Sequence, residues 1–339
     1  MNEYNITIIG CGAVADLLYM PALKQLESAK IINLVDLNMS FCDELVNKYS
    51  IDNVNCSRTI PKAETEKDIA LVLVPTGLHA DVVTDCIKKG YHVMCEKPLA
   101  SNISEVNELI KLSLDKDKLL AVGMARHYMP HNTIIKELIE NDTFGDPIKI
   151  YFEEGGAFSW PIKTMARFDS KESGNGAALN GTASHLIDLI LWWFGDKIEF
   201  TEFHDDSNEG LDINCNIKFT IDRNNKKIPV EGLISMTGNL SNQIIICFPN
   251  CYIEVPIFPN QEINLFNASG EKQAFKLNPY NVGIEYGYDS IRRHLTKFFN
   301  AISGAKLNSN YVKGDTQIAL TNLIDKAYNN KSKINYSWM

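Results

Sequence analysis

The sequence predicts an α/β protein in two parts: a doubly wound parallel sheet over residues 1–125, then an α/β domain over residues 126–339 built on a large, open, mostly antiparallel sheet. Three observations predict it. The first 125 residues alternate short apolar runs with amphipathic stretches, the order of strand–helix–strand units. Beyond Arg126 several apolar runs alternate residue by residue with polar positions, as strands with one covered face do. The 339 residues, 45% hydrophobic and 22% charged, suffice for two cores.

Taken in order, Ile6–Ile9, Ile31–Val35, Ile69–Val74, His92–Cys95 and Leu119–Met124 read as strands. They are short, mostly continuous in apolar character and bounded by Gly, Pro or Asp, as strands covered on both faces should be. The intervening Ala13–Gln25, Met39–Tyr49, Ala80–Lys89 and Ile103–Asp115 read as helices, with Ser101 and Glu105 expected to cap the last of them. A further helix, His131–Asn141, stops at Phe144-Gly145-Asp146-Pro147. Strands are expected at Ile148–Glu154, Ile198–Phe203, Ile213–Ile221, Val230–Thr237, Gln243–Phe248, Tyr252–Ile257 and Glu262–Phe266, with a hairpin turn at Asp222–Lys227. The apolar helix Ala183–Phe194 interrupts them, and helices Tyr288–Ser303 and Asp315–Asn329 close the chain.

Composition excludes several classes of function. A net charge of -9 without a Lys/Arg block argues against a nucleic-acid partner, because phosphate neutralisation needs clustered cations. No stretch is long and apolar enough to span a bilayer, and Leu186–Phe194 has only the length of a core helix. The start of the chain lacks the pattern of a signal peptide, so a cytoplasmic location is expected. Eight cysteines without a CxxC pair offer neither a disulfide framework nor a zinc-ligand spacing, so reduced thiols and no metal are expected.

Gly10-Cys11-Gly12-Ala13-Val14-Ala15 follows the first strand and opens the first helix. In that context Gly10 permits a tight turn, Gly12 lets a pyrophosphate approach the backbone, and Ala15 lets the helix pack closely on the strand. The helix start, with Ala13 and Val14, offers free amides to phosphates. Asp36 ends the second strand, where a carboxylate binds ribose hydroxyls and repels a 2′-phosphate. No arginine follows it in Leu37-Asn38-Met39-Ser40, which favours NAD(H) over NADP(H). The bland reading of Asp36 is a solvated turn residue.

Pro75-Thr76-Gly77-Leu78-His79 and Glu96-Lys97-Pro98 sit at further strand ends, where open parallel sheets bind ligands. Singly, Pro75 could merely end a strand, His79 cap a helix, and Glu96 with Lys97 form a surface ion pair. His185 and Asp188, at i and i+3, share one face of an otherwise apolar helix. That is either a satisfied core histidine or a site, and the helix alone favours the former. Trp160 and Arg167 in the irregular stretch before that helix, and Tyr288 at the start of a late one, are pocket candidates that packing explains equally well.

In this order and spacing, Gly10–Ala15, Met20-Pro21-Ala22-Leu23, Asp36, Pro75-Thr76 with His79, Glu96-Lys97-Pro98 and the His185/Asp188 helix resemble the Gfo/Idh/MocA oxidoreductase family. Gly123–Pro130 and Phe144–Pro147 resemble its domain junction. The resemblance implies an NAD-binding Rossmann domain over 1–125 and a substrate-binding and oligomerisation domain over 126–339, whose open sheet joins a homodimer or homotetramer. It implies hydride transfer between nicotinamide and a sugar, nucleotide-sugar or cyclitol. Lys97 then corresponds to the family's catalytic lysine, His185 to its acid/base and Asp188 to an orienting or binding carboxylate. Gly10, Gly12, Ala13, Val14, Asp36, Pro75, Thr76, His79, Glu96, Lys97 and Arg126 fall to the cofactor, and Lys97, Trp160, Arg167 and His185 to the substrate. One departure stands out: many members carry an aspartate four residues before the histidine, where this chain has Gly181. That departure leaves open a ketoreductase, a variant dehydrogenase or a loss of activity; the alternative readings are a non-catalytic NAD(H)-binding sensor, and a glycosidase-type enzyme that oxidises its sugar transiently.

Overall fold

The computed structural model describes residues 3–169, 171, 173–174, 176–207, 210–258, 262–272, 287–305 and 313–334. In chain order the strands are β1 (Tyr4–Ile9), β2 (Ala29–Val35), β3 (Asn55–Ser57), β4 (Asp68–Val72), β5 (His92–Cys95), β6 (Leu120–Val122), β7 (Lys149–Gly155), β8 (Ile198–Asp205), β9 (Asn214–Arg223), β10 (Lys226–Ser235), β11 (Gln243–Cys247), β12 (Cys251–Pro256), β13 (Asn264–Asn267) and β14 (Ser332–Lys333). The helices are α1 (Met20–Leu23), α2 (Met39–Tyr49), α3 (His79–Lys88), α4 (Ile103–Asp115), α5 (Pro130–Glu140), α6 (Ser184–Phe194), α7 (Gly287–Ile302) and α8 (Gln317–Asn329). They form two compact units. One takes the described residues of Met1–Tyr128, Pro161–Gly174 and Glu285–Ile318, the other those of Met129–Trp160, Asn175–Ile284 and Ala319–Met339. No helix among the described residues is long and apolar enough to cross a membrane.

The first unit is built on a parallel sheet of order β3-β2-β1-β4-β5-β6. The strand order reverses direction between β1 and β4, which opens a crevice at their carboxyl ends. Ile6, Ile8, Leu34, Ile69 and Leu71 are fully buried in the central strands, the burial on both faces that their continuous apolar runs predict. The late helix α7 joins this core through Ile291, Leu295, Phe298 and Phe299. Tyr4 on β1 stacks on Phe299 at 4.6 Å and donates its hydroxyl to the Phe299 carbonyl at 2.7 Å.

Sequence and structure differ in three places here. The expected helix Ala13–Gln25 is present over residues 13–23, but it winds as a π-turn over Ala15–Tyr19 before the short α1. The cap of α4 is Asn102, whose side chain accepts the Glu105 amide at 3.0 Å, while Glu105 reaches back to the Ser101 amide at 2.9 Å. Ser101 therefore supplies an amide to the capping box and not its hydroxyl. Strand β3 was not expected, because three residues with two polar side chains carry no periodic signal.

The second unit carries a sheet of order β13-β12-β11-β7-β10-β9-β8-β14. β10 runs parallel to β7 and β14 parallel to β8, and the remaining pairings are antiparallel. Burial alternates along the strands: Ile150, Phe152, Ile217, Phe219, Ile244 and Ile246 face the core, while Tyr151, Glu153, Lys218, Glu231, Leu233 and Ile245 are half-exposed. The β9–β10 hairpin turns on Asn224 and Asn225, both at positive φ (53° and 62°), the conformation a two-residue hairpin requires. On the helical side, the indole of Trp193 donates to the Asn132 carbonyl at 3.1 Å and Lys136 to the Trp192 carbonyl at 2.6 Å, tying α5 to α6.

Asp68 anchors the start of β4. Its carboxylate accepts from Asn5 Nδ2 (2.8 Å), Thr65 Oγ1 (2.7 Å) and the amides of Glu64 (2.7 Å) and Thr65 (3.3 Å). Burial pushes its pKa up, but these hydrogen bonds outweigh burial and hold it below the usual value. The ionised group therefore stabilises the fold above its unfolded pKa of about 3.9, and this contribution is lost as pH falls through the lower folded value. Asp68→Asn is expected to lower stability by about 1–3 kcal/mol near neutral pH, with the deficit closing in acid, as urea unfolding at the two pH values will measure. Gly10 has a φ of +94°, and a Cβ there would lie 2.7 Å from the Leu73 carbonyl carbon. Gly10→Ala is expected to cost more than about 2 kcal/mol in the same assay.

Candidate functional site

At the carboxyl end of β1 the backbone turns so tightly that Gly10 lies against the Leu73–Val74 peptide and donates its amide to the Val35 carbonyl at 2.9 Å. The next amide, that of Cys11, donates to Asp36 Oδ2 at 2.8 Å, and the Asn38 amide donates to Asp36 Oδ1 at 2.8 Å. Two backbone donors thus orient the carboxylate, and each oxygen keeps lone pairs for further donors such as a ribose diol. A Cβ built on Gly12 would meet nothing within 4 Å, so space is open above the loop where a phosphate would approach. Ala13 and Val14 follow at the start of the helical turn, whose first amides have no intrahelical acceptor. These observations fit a dinucleotide at this loop. Beneath it, Cys11 and Cys42 place their sulfurs 3.6 Å apart, and burial pushes both thiols up in pKa, Cys42 to about 11.

At the end of β4, Pro75 and Thr76 lead half-exposed into the turn before α3. His79 is buried: Nδ1 lies 2.7 Å from the Pro98 carbonyl and Nε2 2.9 Å from the Val74 carbonyl. Burial lowers its pKa while the two carbonyls pull the other way. With both nitrogens on main-chain carbonyls, this ring ties the β4 exit to the loop after β5 and leaves neither nitrogen for a ligand.

That loop holds Glu96 and Lys97, and the Lys97–Pro98 peptide is cis. Glu96 is turned inward, accepting the Tyr19 hydroxyl on Oε1 at 2.7 Å and the Lys97 amide on Oε2 at 3.1 Å. Gly123 makes room for it, since a Cβ there would lie 2.7 Å from Oε1. Burial raises the pKa of Glu96, with the Tyr19 hydroxyl and the Lys97 charge opposing the rise. The carboxylate holds the backbone that carries the half-exposed Lys97. Arg126 is half-exposed in the 3₁₀ turn Ala125–Tyr128, where Tyr128 stacks on His294 at 4.6 Å. Burial drives His294 down to about 3, so this neighbour is neutral.

The segment 161–174 belongs to the same unit. Lys163 fastens it, 2.8 Å from Glu44 and 3.8 Å from Asp16, over the Phe41 ring. Arg167 lies in its 3₁₀ turn Ala166–Phe168, and the Arg167 side chain lies outside the described residues. Tyr288, in the first turn of α7, packs against the hydrophobic core.

In the second unit, a π-turn at Leu179–Ala183 leads directly into α6. π-turns often mark functional stretches of helix, and the two among the described residues both adjoin candidate residues. The buried Asp212 secures this one, accepting the Ala177 and Leu179 amides at 2.7 Å each and the Tyr328 hydroxyl at 3.2 Å. Burial raises the pKa of Asp212, and the two amides oppose the rise. Tyr328 in turn accepts the Asn180 amide at 3.3 Å. Gly181 is part of the turn, and one turn of helix later His185 is half-exposed and Asp188 buried on α6. Trp160 belongs to this unit and is 39% exposed. Tyr19, Asp212 and Tyr328 were not singled out from the sequence, because none lies in a motif and each gains its role only from a partner far along the chain.

Residues 4–124 match the GFO_IDH_MocA family, described as an oxidoreductase family with an NAD-binding Rossmann fold. The chain is 25% identical over 296 residues to glucose-6-phosphate 3-dehydrogenase of Bacillus subtilis, spanning 84% of this chain and 77% of that one. It is 28% identical over 194 residues to myo-inositol 2-dehydrogenase of Thermotoga maritima, spanning 57% and 56% of the two chains. Its fold matches a 3-ketoreductase from Actinomadura kijaniata in complex with NADP and TDP-benzene, with a TM-score of 0.81 at 15% identity over 99% of this chain and 100% of that one. The NAD-binding Rossmann region of this chain, residues 4–124, is thus that of the Gfo/Idh/MocA oxidoreductase family.

Proposed function

We propose that this protein transfers a hydride between NAD(H) and a hydroxyl or ketone of a sugar, nucleotide-sugar or cyclitol. The observation that carries the proposal is the Gly10–Gly12 loop, open above Gly12 and joined through the Cys11 amide to the Asp36 carboxylate. This arrangement suits a pyrophosphate and an adenosine ribose held side by side. The names of the relatives, which include a hexose-phosphate dehydrogenase and an inositol dehydrogenase, support the carbohydrate-like substrate. The negative charge of Asp36 disfavours a 2′-phosphate, so NAD(H) is the preferred cofactor.

The nicotinamide supplies the hydride acceptor or donor. The protein supplies charge and proton control. The Lys97 ammonium stabilises alkoxide character on the reacting oxygen, in a loop that Glu96, Tyr19 and His79 hold in place. The His185 imidazole takes or returns the hydroxyl proton, and Asp188, one helical turn on, orients it or binds substrate. The half-exposed face of the second sheet is the surface proposed for self-association into a dimer or tetramer.

Titration of the protein with NADH, followed by nicotinamide fluorescence, and then a screen of sugars, inositols and nucleotide-sugars at the reduced-nicotinamide band tests the reading. Tight NADH binding with a sugar- or cyclitol-dependent signal supports it, and failure to bind either nicotinamide cofactor overturns it. Lys97→Ala is expected to lower kcat by roughly 10²–10³-fold while the NADH Kd stays within about twofold. Gly12→Val should behave in the opposite way, weakening NADH by at least about tenfold with little change in Tm, since its side chain enters open space.

A further inference from the structure

The first amides of a helix have no acceptor within it. At the entrance to α6, one residue from elsewhere in the chain takes three amides in succession. Asp212 accepts the Ala177 amide on Oδ1 at 2.7 Å, the Ala178 amide on its main-chain carbonyl at 3.0 Å and the Leu179 amide on Oδ2 at 2.7 Å. The next amide, that of Asn180, donates to the Tyr328 hydroxyl at 3.3 Å. That hydroxyl donates its own proton to the Asp212 carboxylate, 3.2 Å from each oxygen. Gly176 makes room for it, because a Cβ there would overlap the Tyr328 oxygen. The Tyr328 ring stands edge-on to Phe203 at 5.6 Å, so the hydroxyl is delivered from a packed ring. With these amides taken by the protein itself, this end of the helix is a mount and not an anion site.

Between this mount and the body of α6 the chain takes the wide π-turn Leu179–Ala183, in which the Ala183 amide reaches back to the Ala178 carbonyl at 2.9 Å. A turn closed by i→i+5 bonds is far rarer than the α-helical turn, so groups outside it must hold it. Asp212 and Tyr328 fix its entrance, and the fully buried Leu186 and Ile187 fix the helix beyond its exit. His185 lies between the turn and those two residues, so the direction of its side chain follows from how the turn is wound. We infer that Asp212 and Tyr328 are positioning residues for the reaction: they hold the π-turn in the one winding that presents the His185 imidazole to the reacting hydroxyl. Both act through the main chain, and neither handles a proton of the substrate. The inference rests on the reading of His185 as the acid/base.

The test uses the full chain with the sugar or cyclitol that supports turnover. Tyr328→Phe keeps the ring and removes only the hydroxyl. It is expected to lower kcat by about tenfold, with the substrate KM and the NADH Kd each within about twofold of the unaltered protein. In a His185→Ala background, followed by single-turnover absorbance at the reduced-nicotinamide band, the same substitution should change the rate by less than about twofold. A residue that acts through the imidazole has nothing left to act on there. An unchanged kcat in Tyr328→Phe overturns the inference. A loss of equal size with and without His185 also overturns it, because that marks a general structural role, and so does a fall in kcat accompanied by weakened NADH binding. Turnover that His185→Ala leaves undiminished removes the acid/base reading beneath the inference and leaves the oxidoreductase reading intact. Absence of turnover on every sugar and cyclitol removes both.

Discussion

The carboxylate of Asp36 accepts amides from both the loop after β1 and the turn before α2, and much of the cofactor crevice depends on that arrangement. It can do so because Gly10 adopts a conformation closed to other residues and brings the following amide round toward β2. The same tight turn seats the chain against the Leu73–Val74 peptide, leaving no room for a side chain at residue 10 and open space at residue 12. Function and fold therefore draw on one hydrogen-bonded turn, in which the carboxylate that suits a ribose also holds the loop that suits a pyrophosphate.

Around this turn, buried polar side chains tie down the backbone that carries the chemistry. Glu96 accepts from Tyr19 and from the amide of Lys97, and His79 sits between two carbonyls, so the lysine's loop is held from below and from the side. In the second unit Asp212 and Tyr328 do the same for the π-turn ahead of His185. A buried group that lost one of these partners would carry an uncompensated desolvation cost, so each cluster specifies one local geometry. Lys97 and His185, the groups proposed to carry the chemistry, are each half-exposed.

Local pattern made much of this legible. The continuous apolar runs of β1, β2, β4 and β5 announce strands covered on both faces, and the alternation in β9 and β10 announces a sheet with one half-exposed face. The glycine loop and Asp36 could be read because the turn, the helix start and the strand end are contiguous in sequence, and each needs a particular residue type. Short polar strands could not be read in this way. Neither β3 nor β14 is long enough to show a period, yet β3 leads to Arg58, whose Nε donates to the Leu37 carbonyl. The capping of α4 was misplaced by one residue because Ser101 and Asn102 are both good caps, and only the geometry of Glu105 separates them.

By itself the sequence determined the class of the fold, the order of its main elements and the glycine turn followed by an acidic strand end, because these are local consequences of side-chain period and backbone sterics. Tertiary structure alone decided what stands beside what. It brought α7 and Phe299 back to β1, seated Tyr19 on Glu96 under Gly123, and set Arg58 next to Leu37. Each of these contacts joins residues 21 to 295 positions apart. Their existence depends on how strands pair and helices pack, which no periodicity within a single segment encodes.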